Sequence, residues 1–228
     1  MKVVEIQPGS RIVEIDPTKS PLEHVALWYP KILGTRFNFV VSATGDLSSI
    51  SSKATNLMDR YFLRAIRSVS DLIITTGKTA RSENLNSSNF APLAILTKHP
   101  NELEIAATSI ESLNPVIICS SIAYTRAYKN KNVEFLSVES GDISQTITNI
   151  VSVLKKTSPL LEVGISTASG LGAGNVFDEV CLSVTAANSR EDATDIAQEF
   201  LIAINVRAEI VQLLESEDLF LFRYQVLK

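Results

Sequence analysis

Cysteine and histidine are scarce in this 228-residue chain, with two of each. Cys119 and Cys181 lie far apart in apolar runs, and His24 and His99 are equally isolated. Such a set cannot supply the closely spaced ligands of a structural zinc site, so we expect no metal centre. Thiols inside apolar runs favour two buried, reduced cysteines over a disulfide bond.

A strong charge excess and long apolar segments are missing too. The formal net charge is −4, which gives no overall electrostatic footprint for nucleic acid or an anionic membrane. No run approaches the roughly 18 consecutive apolar residues of a membrane helix. The first residues lack the apolar core of a signal peptide. We therefore expect a cytoplasmic protein that binds neither nucleic acid nor membrane.

From residue 36 onwards, short apolar runs alternate with amphipathic segments, and the chain ends on two apolar runs across an acidic turn. This alternation predicts an α/β fold with one mixed, mostly parallel sheet, helices on its faces and a C-terminal antiparallel hairpin. We predict strands at 37–43, 71–75, 92–97, 115–119, 133–136, 159–163, 176–185, 207–214 and 219–227, helices at 56–69, 142–156 and 189–204, and a helical turn at 79–85.

The first 34 residues differ from the rest, because four prolines break them into short pieces. We interpret 1–34 as an arm that packs on the main domain or on a partner subunit, with a helical turn or two at 22–29. The aromatic pair Trp28-Tyr29 is expected to pack this arm onto the core. No linker or repeat divides the remainder, so 35–228 is predicted to be one domain.

The most informative segment is 161–171, where an apolar run ends at Glu162 and is followed by Gly164, small hydroxyl residues and a helix start. Exposed backbone N–H groups at such a strand-to-helix junction suit a phosphate, since a helix N-terminus carries partial positive charge. The following strand carries Asp178-Glu179, whose side chains point to opposite faces, so a joint acid/base role is not expected. This layout indicates a nucleotide site at the carboxyl end of a sheet.

A second segment, 67–85, contains another strand followed by a turn. Gly77 permits a tight turn or a positive φ, and Thr79 is placed where a hydroxyl or a backbone N–H faces a ligand. Glu83, one helical turn further on, is positioned to accept a hydrogen bond from a ribose hydroxyl. By itself the segment is equally compatible with a simple connection between elements.

Together the two segments resemble the pyrimidine reductases of riboflavin biosynthesis, the C-terminal domain of bacterial bifunctional deaminase-reductases, which have a dihydrofolate reductase-like fold. The resemblance covers about residues 36–185. The matching positions are Ser42, Gly45, Arg67, Asp71, Gly77, Thr79 and Glu83, and then Glu162, Gly164, Thr167, Leu171 and Phe177-Asp178-Glu179. The zinc signature of a base deaminase is absent, so a protein of this kind stands alone or works beside a separate deaminase.

The resemblance implies an NADPH-dependent reductase that delivers hydride to the opened ribosyl imine of an aminopyrimidine phosphate and acts as a homodimer. Carried over by position, the cofactor-binding residues are Ser42, Ala43, Gly77, Thr79, Glu83, Gly164, Ile165, Ser166, Thr167 and Gly170. The substrate-binding residues are Thr44, Asp46, Arg67 and Glu162, with Glu162 and Asp46 as candidate catalytic acids.

Several positions depart from the family pattern, and two of them bear most on the proposed activity. Thr44 stands where the family has an aspartate, and Val163 stands where it has a second glycine. Two alternatives therefore stay open: a reductase of another pterin-like substrate, and a non-catalytic paralogue that keeps the fold as a nucleotide-binding or interaction module. Retention of Gly77, Thr79 and Gly164 favours a working cofactor pocket.

Overall fold

The computed structural model describes residues 2–43, 57–85, 88–103, 114–122, 132–139, 141–217 and 219–228. The strands are β1 (Lys2–Gln7), β2 (Arg11–Glu14), β3 (Arg36–Ser42), β4 (Leu72–Thr76), β5 (Leu93–Leu96), β6 (Val116–Ser120), β7 (Val133–Ser137), β8 (Pro159–Glu162), β9 (Glu179–Thr185), β10 (Ala208–Ser216) and β11 (Leu219–Val226). The helices are α1 (Glu23–Ala26), α2 (Leu57–Ser68), α3 (Gly77–Ser82), α4 (Ile143–Val153), α5 (Ile165–Ala173) and α6 (Arg190–Ala203). Within these ranges, no helix has the length and apolar character that a bilayer crossing requires.

All of these strands belong to one sheet, in the order β2-β1-β10-β11-β9-β3-β8-β4-β5-β6-β7. The strands from β9 to β7 in this order are parallel, whereas β11, β10, β1 and β2 pair antiparallel. The predicted α/β class, the mixed and mostly parallel sheet and the closing hairpin are therefore confirmed. Each strand and helix predicted from residue 36 onwards is present, with ends shifted by a few residues.

Alternation of side chains along the strands divides the core into two layers, one on each face of the sheet. On β4, Leu72 and Ile74 belong to the layer that includes α4, α5 and α6, and Ile73 belongs to the layer that includes α2 and α3. We call these the α5 face and the α2 face. The α5 face contains stacked aromatic rings, with Phe37 against Phe177 at 4.8 Å between ring centroids.

Residues 2–14 form two strands that the sequence analysis did not predict. β1 pairs with β10, and β2 extends the sheet beyond β1. The partner strand lies about two hundred residues away in the sequence, so no local pattern identifies the pairing. Trp28 and Tyr29 are buried and both contact Phe62 of α2, which confirms that this aromatic pair packs onto the core.

Both cysteines are free thiols inside the core, as expected from their apolar surroundings. Burial raises the pKa of Cys119 to about 12 and raises that of Cys181 still further. Since the thiolate is the reactive form, we expect neither cysteine to react with a disulfide reagent in the native protein at pH 8. Both should react after unfolding in guanidinium chloride. Rapid release of the reagent's chromophore from the folded protein would contradict this burial.

Candidate functional site

The sheet opens along one of its interior strands. β3 pairs with β9 over its whole length, from Arg36 to Ser42, but pairs with β8 only at Arg36 and Phe37. Beyond that point β8 stays with β4, up to the pair Thr75 and Glu162. Asn38, Phe39 and Val40 are consequently half-exposed although their strand lies inside the sheet. We call this opening the β3–β8 cleft.

The connections that follow β8 and β4 also indicate a binding site at this edge of the sheet. From β8 the chain leaves through α5 on one face towards β9, and from β4 it leaves through α3 on the other face towards β5. Where adjacent parallel strands send their connections in opposite directions, a crevice forms at their carboxyl ends, and ligands of α/β proteins bind there. The two segments singled out in the sequence thus meet, and Thr75 Oγ1 donates to the Glu162 carbonyl oxygen at 2.7 Å.

The start of α5 presents open backbone donors to this crevice. Gly164 is the N-cap, with φ −68° and ψ 159°, and no side chain caps the helix. Thr167 N and Ala168 N both donate to Gly164 O at 3.0 Å. Within the described residues, the amides of Ile165 and Ser166 have no partner, so the positive end of α5 is available to an anion.

Val163 and Gly164 are both compatible with a ligand at this helix start. Val163 is 3% exposed and packs in the α5-face core, so it does not fill the cleft. Its φ is not positive, so its β-branched side chain causes no backbone strain there. Gly164 is exposed, and a Cβ built on it meets no atom within 4 Å. The space in front of Gly164 is therefore open.

The neighbouring helix start, at α3, is closed by its own side chains. Thr76 is the N-cap, and its Oγ1 accepts from Thr79 N at 3.3 Å and lies 3.0 Å from Thr79 Oγ1. Of the two possibilities open for Gly77, a tight turn or a positive φ, the structure does not have the positive φ. Glycine is needed for a different reason, because a Cβ at Gly77 would lie 2.6 Å from Thr97 Oγ1 at the end of β5. Thr79 remains half-exposed at the crevice.

Arg67 and Glu162, both assigned to the substrate, are bonded to each other. Arg67 Nε donates to Glu162 Oε1 at 2.7 Å, and Nη2 donates to Oε2 at 2.5 Å. This bidentate pair connects α2 to the end of β8 and leaves Nη1 without a partner among the described residues. A ligand in the cleft would meet a nearly neutral pair rather than a single charge.

Glu83 lies close enough to this pair to interact with it. Its pKa is raised, first because surrounding protein displaces water and second because Glu162 is negative, while Arg67 opposes both effects. The side chain is exposed, so the electrostatic coupling is screened by solvent. Thr79, Glu83, Arg67 and Glu162 thus line one continuous part of the crevice.

The acidic pair on the following strand is structural. Glu179 accepts from Arg36 and Arg223 in the interior of the α2 face. Asp178 accepts from Thr35 N at 2.7 Å and pairs with Lys228 near the surface. The two carboxylates therefore have separate partners, as expected for neighbours at a strand.

The remaining assigned residues fall into three groups. Ser42 ends β3, and Ala43 N donates to Thr185 O at 2.9 Å, so both lie at the carboxyl edge of the cleft. Thr44 and Asp46 lie outside the described residues. Gly170 is not at the start of α5 but further along it, where a Cβ would lie 3.2 Å from Ile143 Cγ2 of α4.

Beside α3 the structure has a cavity of about 260 Å³. It is lined by apolar side chains and by Arg81, Asn84 and Glu102, with Arg81 Nη1 3.7 Å from Glu102 Oε2. The cavity is adjacent to the helix that carries Thr79, on the α2 face of the sheet.

Two polar residues, one on β3 at the cleft and one on the buried side of α2, were not singled out in the sequence. Asn38 interrupts the apolar run of β3, and Asp59 falls on the buried side of α2 together with Met58 and Phe62. A polar residue inside an apolar stripe was the available signal in both cases, because burial of such a group costs free energy unless it is compensated. Asp59 is 5% exposed.

Comparison with known proteins supports this fold. No family model and no curated protein matches the chain. Among solved structures, a pyrimidine reductase-like protein from Corynebacterium diphtheriae has a TM-score of 0.61 at 17% identity, covering 86% of this chain and 92% of that one. The riboflavin biosynthesis reductase of Saccharomyces cerevisiae gives 0.62 at 10% identity, with coverage of 85% and 90%.

A third structure extends the likeness to a larger protein. The deaminase and 5-amino-6-(5-phosphoribosylamino)uracil reductase of Thermotoga maritima gives a TM-score of 0.63 at 14% identity, covering 90% of this chain and 60% of that one. The resemblance to pyrimidine reductases predicted from the sequence is thereby confirmed for the fold.

Proposed function

We propose that this protein is an NADPH-dependent reductase of the pyrimidine reductase type, acting on a ribosylamino-pyrimidine phosphate or a related heteroaromatic compound. The observation that supports the proposal best is the start of α5, where an uncapped helix and an unobstructed Gly164 face the crevice between parallel strands. The common fold with pyrimidine reductases agrees with it.

The residues at the crevice fit a dinucleotide phosphate. The amides of Ile165 and Ser166 would donate to the diphosphate, with the hydroxyls of Ser166 and Thr167 beside them. Thr79 and Glu83 would contact the ribose side of the cofactor. Exposed Lys78 and Arg81, which lines the cavity beside α3, would supply positive charge for a 2′-phosphate. When bound, the cofactor would supply the hydride for reduction.

The protein's own part is to hold and orient the substrate and to exclude water. Asn38 and Val40 lie half-exposed at the β3–β8 cleft, and the Arg67–Glu162 pair borders it. A nearly neutral, rigid border suits a planar heterocycle with both hydrogen-bond donors and acceptors. The homodimer implied by the family resemblance belongs to the same proposal, and sedimentation equilibrium checks it.

Replacing Gly164 by valine should abolish tight NADPH binding. The added side chain would occupy the open space before the α5 amides, and we expect the Kd for NADPH to rise at least tenfold, measured by nicotinamide fluorescence. Gly141→Val is the matched control, because a Cβ there also meets no atom within 4 Å and the residue precedes α4 instead. Both variants should keep the fold, and only the first should lose binding.

Equal NADPH affinity in the two variants would contradict a cofactor site at α5. No saturable binding of either NADPH or NADH to the unmodified protein would overturn the reductase proposal as a whole. Ligand-induced thermal stabilisation gives an independent readout, because it grows with ligand concentration relative to Kd.

A second candidate is a nucleotide-binding module without reductase activity. The observation in its favour is that Arg67 and Glu162 hydrogen-bond to each other rather than being left open to a substrate. Saturable NADPH binding with no oxidation of NADPH on addition of 5-amino-6-(5-phosphoribosylamino)uracil would support this module or a reductase of a different substrate. Oxidation of NADPH with that compound would exclude it.

A further inference from the structure

The last residue of β8, Glu162, is held through both its main chain and its side chain. Thr75 Oγ1 donates to the Glu162 carbonyl oxygen at 2.7 Å, and Arg67 binds the Glu162 carboxylate. Thr75 and Glu162 are registered partners on β4 and β8. The peptide that joins Glu162 to Val163 is therefore fixed just before the chain enters α5.

The direction of this peptide follows from its carbonyl group. The C=O of Glu162 points towards β4, as does that of Ser158, which accepts from Asp71 N at 3.1 Å. Because a trans peptide is planar, the N–H of Val163 points the opposite way. β8 lies between β4 and β3 in the sheet, so this N–H points to the β3 side, into the β3–β8 cleft.

The Val163 N–H has no hydrogen-bond acceptor among the described residues. In a longer β3–β8 ladder a carbonyl group of β3 would accept from it, but the pairing ends at Phe37 and Leu161. Val163 is only 3% exposed. A main-chain donor inside a protein costs free energy when it lacks an acceptor, and such donors are rare in folded proteins. A ligand that brings an acceptor atom into the cleft would satisfy this one.

We propose that the Val163 N–H binds an acceptor atom of the substrate heterocycle, a carbonyl oxygen or a ring nitrogen, and that Thr75 is the positioning residue that aims this N–H. The assignment rests on the proposed reductase function. Only the main chain of Val163 meets the ligand, because its side chain packs in the α5-face core. A β-branched residue is therefore compatible with binding at this position.

The Thr75 hydroxyl has one bonded role in the structure. Thr75 is fully buried, and the three β4 residues before it are apolar. A hydroxyl in such surroundings costs free energy unless it is hydrogen-bonded, and its bond goes to the Glu162 carbonyl oxygen. Gly164 follows Val163 and no side chain caps α5, so no capping bond downstream of Val163 opposes rotation of the peptide. Loss of the hydroxyl would leave the direction of the Val163 N–H less well defined.

Thr75→Val removes the hydroxyl and keeps the shape of the side chain. We expect KM for 5-amino-6-(5-phosphoribosylamino)uracil to rise about fivefold, as for loss of one hydrogen bond, with kcat and the Kd for NADPH within about twofold of the original. Thr75→Ser keeps a hydroxyl and should keep the original KM. Thr185→Val is the matched control, because Thr185 Oγ1 is a buried hydroxyl that donates to Val41 O of the neighbouring strand at 3.2 Å. It should lose stability comparably and leave KM unchanged.

Nuclear magnetic resonance follows the Val163 amide directly. In protein that carries isotopically labelled valine, the Val163 signal is identified by its loss in Val163→Ile, which keeps a β-branched side chain. Addition of 5-amino-6-(5-phosphoribosylamino)uracil to the NADPH complex should move this amide proton downfield, because an N–H without a partner gains an acceptor. The displacement should persist in Thr75→Ser and in Thr185→Val, and it should shrink in Thr75→Val.

The outcomes separate this assignment from the reductase proposal. If NADPH is bound and oxidised but the Val163 amide does not move, or Thr75→Val behaves like Thr185→Val, the assignment is wrong and the reductase stands. If the compound is not reduced, its titration against the Val163 amide in the NADPH complex still decides, and an amide that does not move overturns the assignment. If the protein binds neither NADPH nor the compound, the reductase proposal fails first, and the role of Val163 fails with it.

Discussion

Glu179→Gln should lower the free energy of unfolding by about 3–5 kcal/mol, the cost of breaking a buried ion pair from one side. Arg36 Nε lies 2.5 Å from Glu179 Oε1, and Arg223 Nη1 lies 3.1 Å from Oε2. The Arg36 and Glu179 side chains are 2% and 3% exposed. A neutral amide would leave the buried guanidinium without a counter-charge, and its remaining bond to the Pro30 carbonyl oxygen does not replace one.

Urea denaturation followed by tryptophan fluorescence measures this loss. Trp28 is the only tryptophan, and it is buried on the α2 face, the same face as the Arg36, Glu179 and Arg223 ion pairs. Glu215→Gln is the matched control. Its partner Arg190 lies on the surface, with the two side chains 51% and 34% exposed, so its removal should cost less than about 1 kcal/mol. Similar losses in both variants would show that the interior network contributes no more than a surface pair.

Gly172→Ala should destabilise the protein by about 3 kcal/mol, at the upper end of ordinary overpacking. A Cβ at Gly172 would lie 1.8 Å from the Ile204 carbonyl oxygen and 3.0 Å from Val206 Cγ2. The backbone around the Ile204 carbonyl is fixed by two hydrogen bonds, from Ile204 N to Phe200 O and from Val206 N to Leu201 O. The clash therefore requires α5 and the end of α6 to move apart.

Helix propensity favours alanine over glycine, so it opposes the clash, and the sign of the change in unfolding free energy shows which effect is larger. Alanine in a helix interior is favoured over glycine by about 1 kcal/mol, so an uncrowded site would gain stability. Gly170→Ala, on the same helix, is the control, because its Cβ meets only Ile143 Cγ2 at 3.2 Å, a side-chain atom that can shift slightly. We expect that variant to be near neutral. A stabilised Gly172→Ala, measured by the same denaturation, would contradict the close approach of the two helices.

Much of the fold was predictable from local patterns. β8 and α5 follow directly from an apolar run, a glycine and small residues, and α6 from its Ser189 cap and its periodicity. Each of these signals lies within one segment of the chain. Pairings between distant segments have no such signal, so β1 and β2 were missed although they lie in the same sheet.

The same distinction between local and long-range signals applies to the candidate site. The sequence located Gly164, Thr79, Arg67 and Glu162, but their contacts depend on how the elements meet. The packing of α2 against β8 brings Arg67 to Glu162. The packing of β4 beside β5 brings Gly77 so close to Thr97 that only glycine fits. Neither contact can be derived from the sequence alone.

Because β3 and β8 pair over only a short ladder, the sheet has a third rim, an edge that lies in its interior rather than at either end. Rims of sheets carry main-chain groups that no neighbouring strand satisfies, and elsewhere these attract foreign strands. Here Phe39 stacks on Phe200 of α6 on one side, and α2 covers the other. A rim enclosed between two layers is shielded from a second polypeptide, so the short β3–β8 ladder does not make this sheet prone to edge-to-edge association.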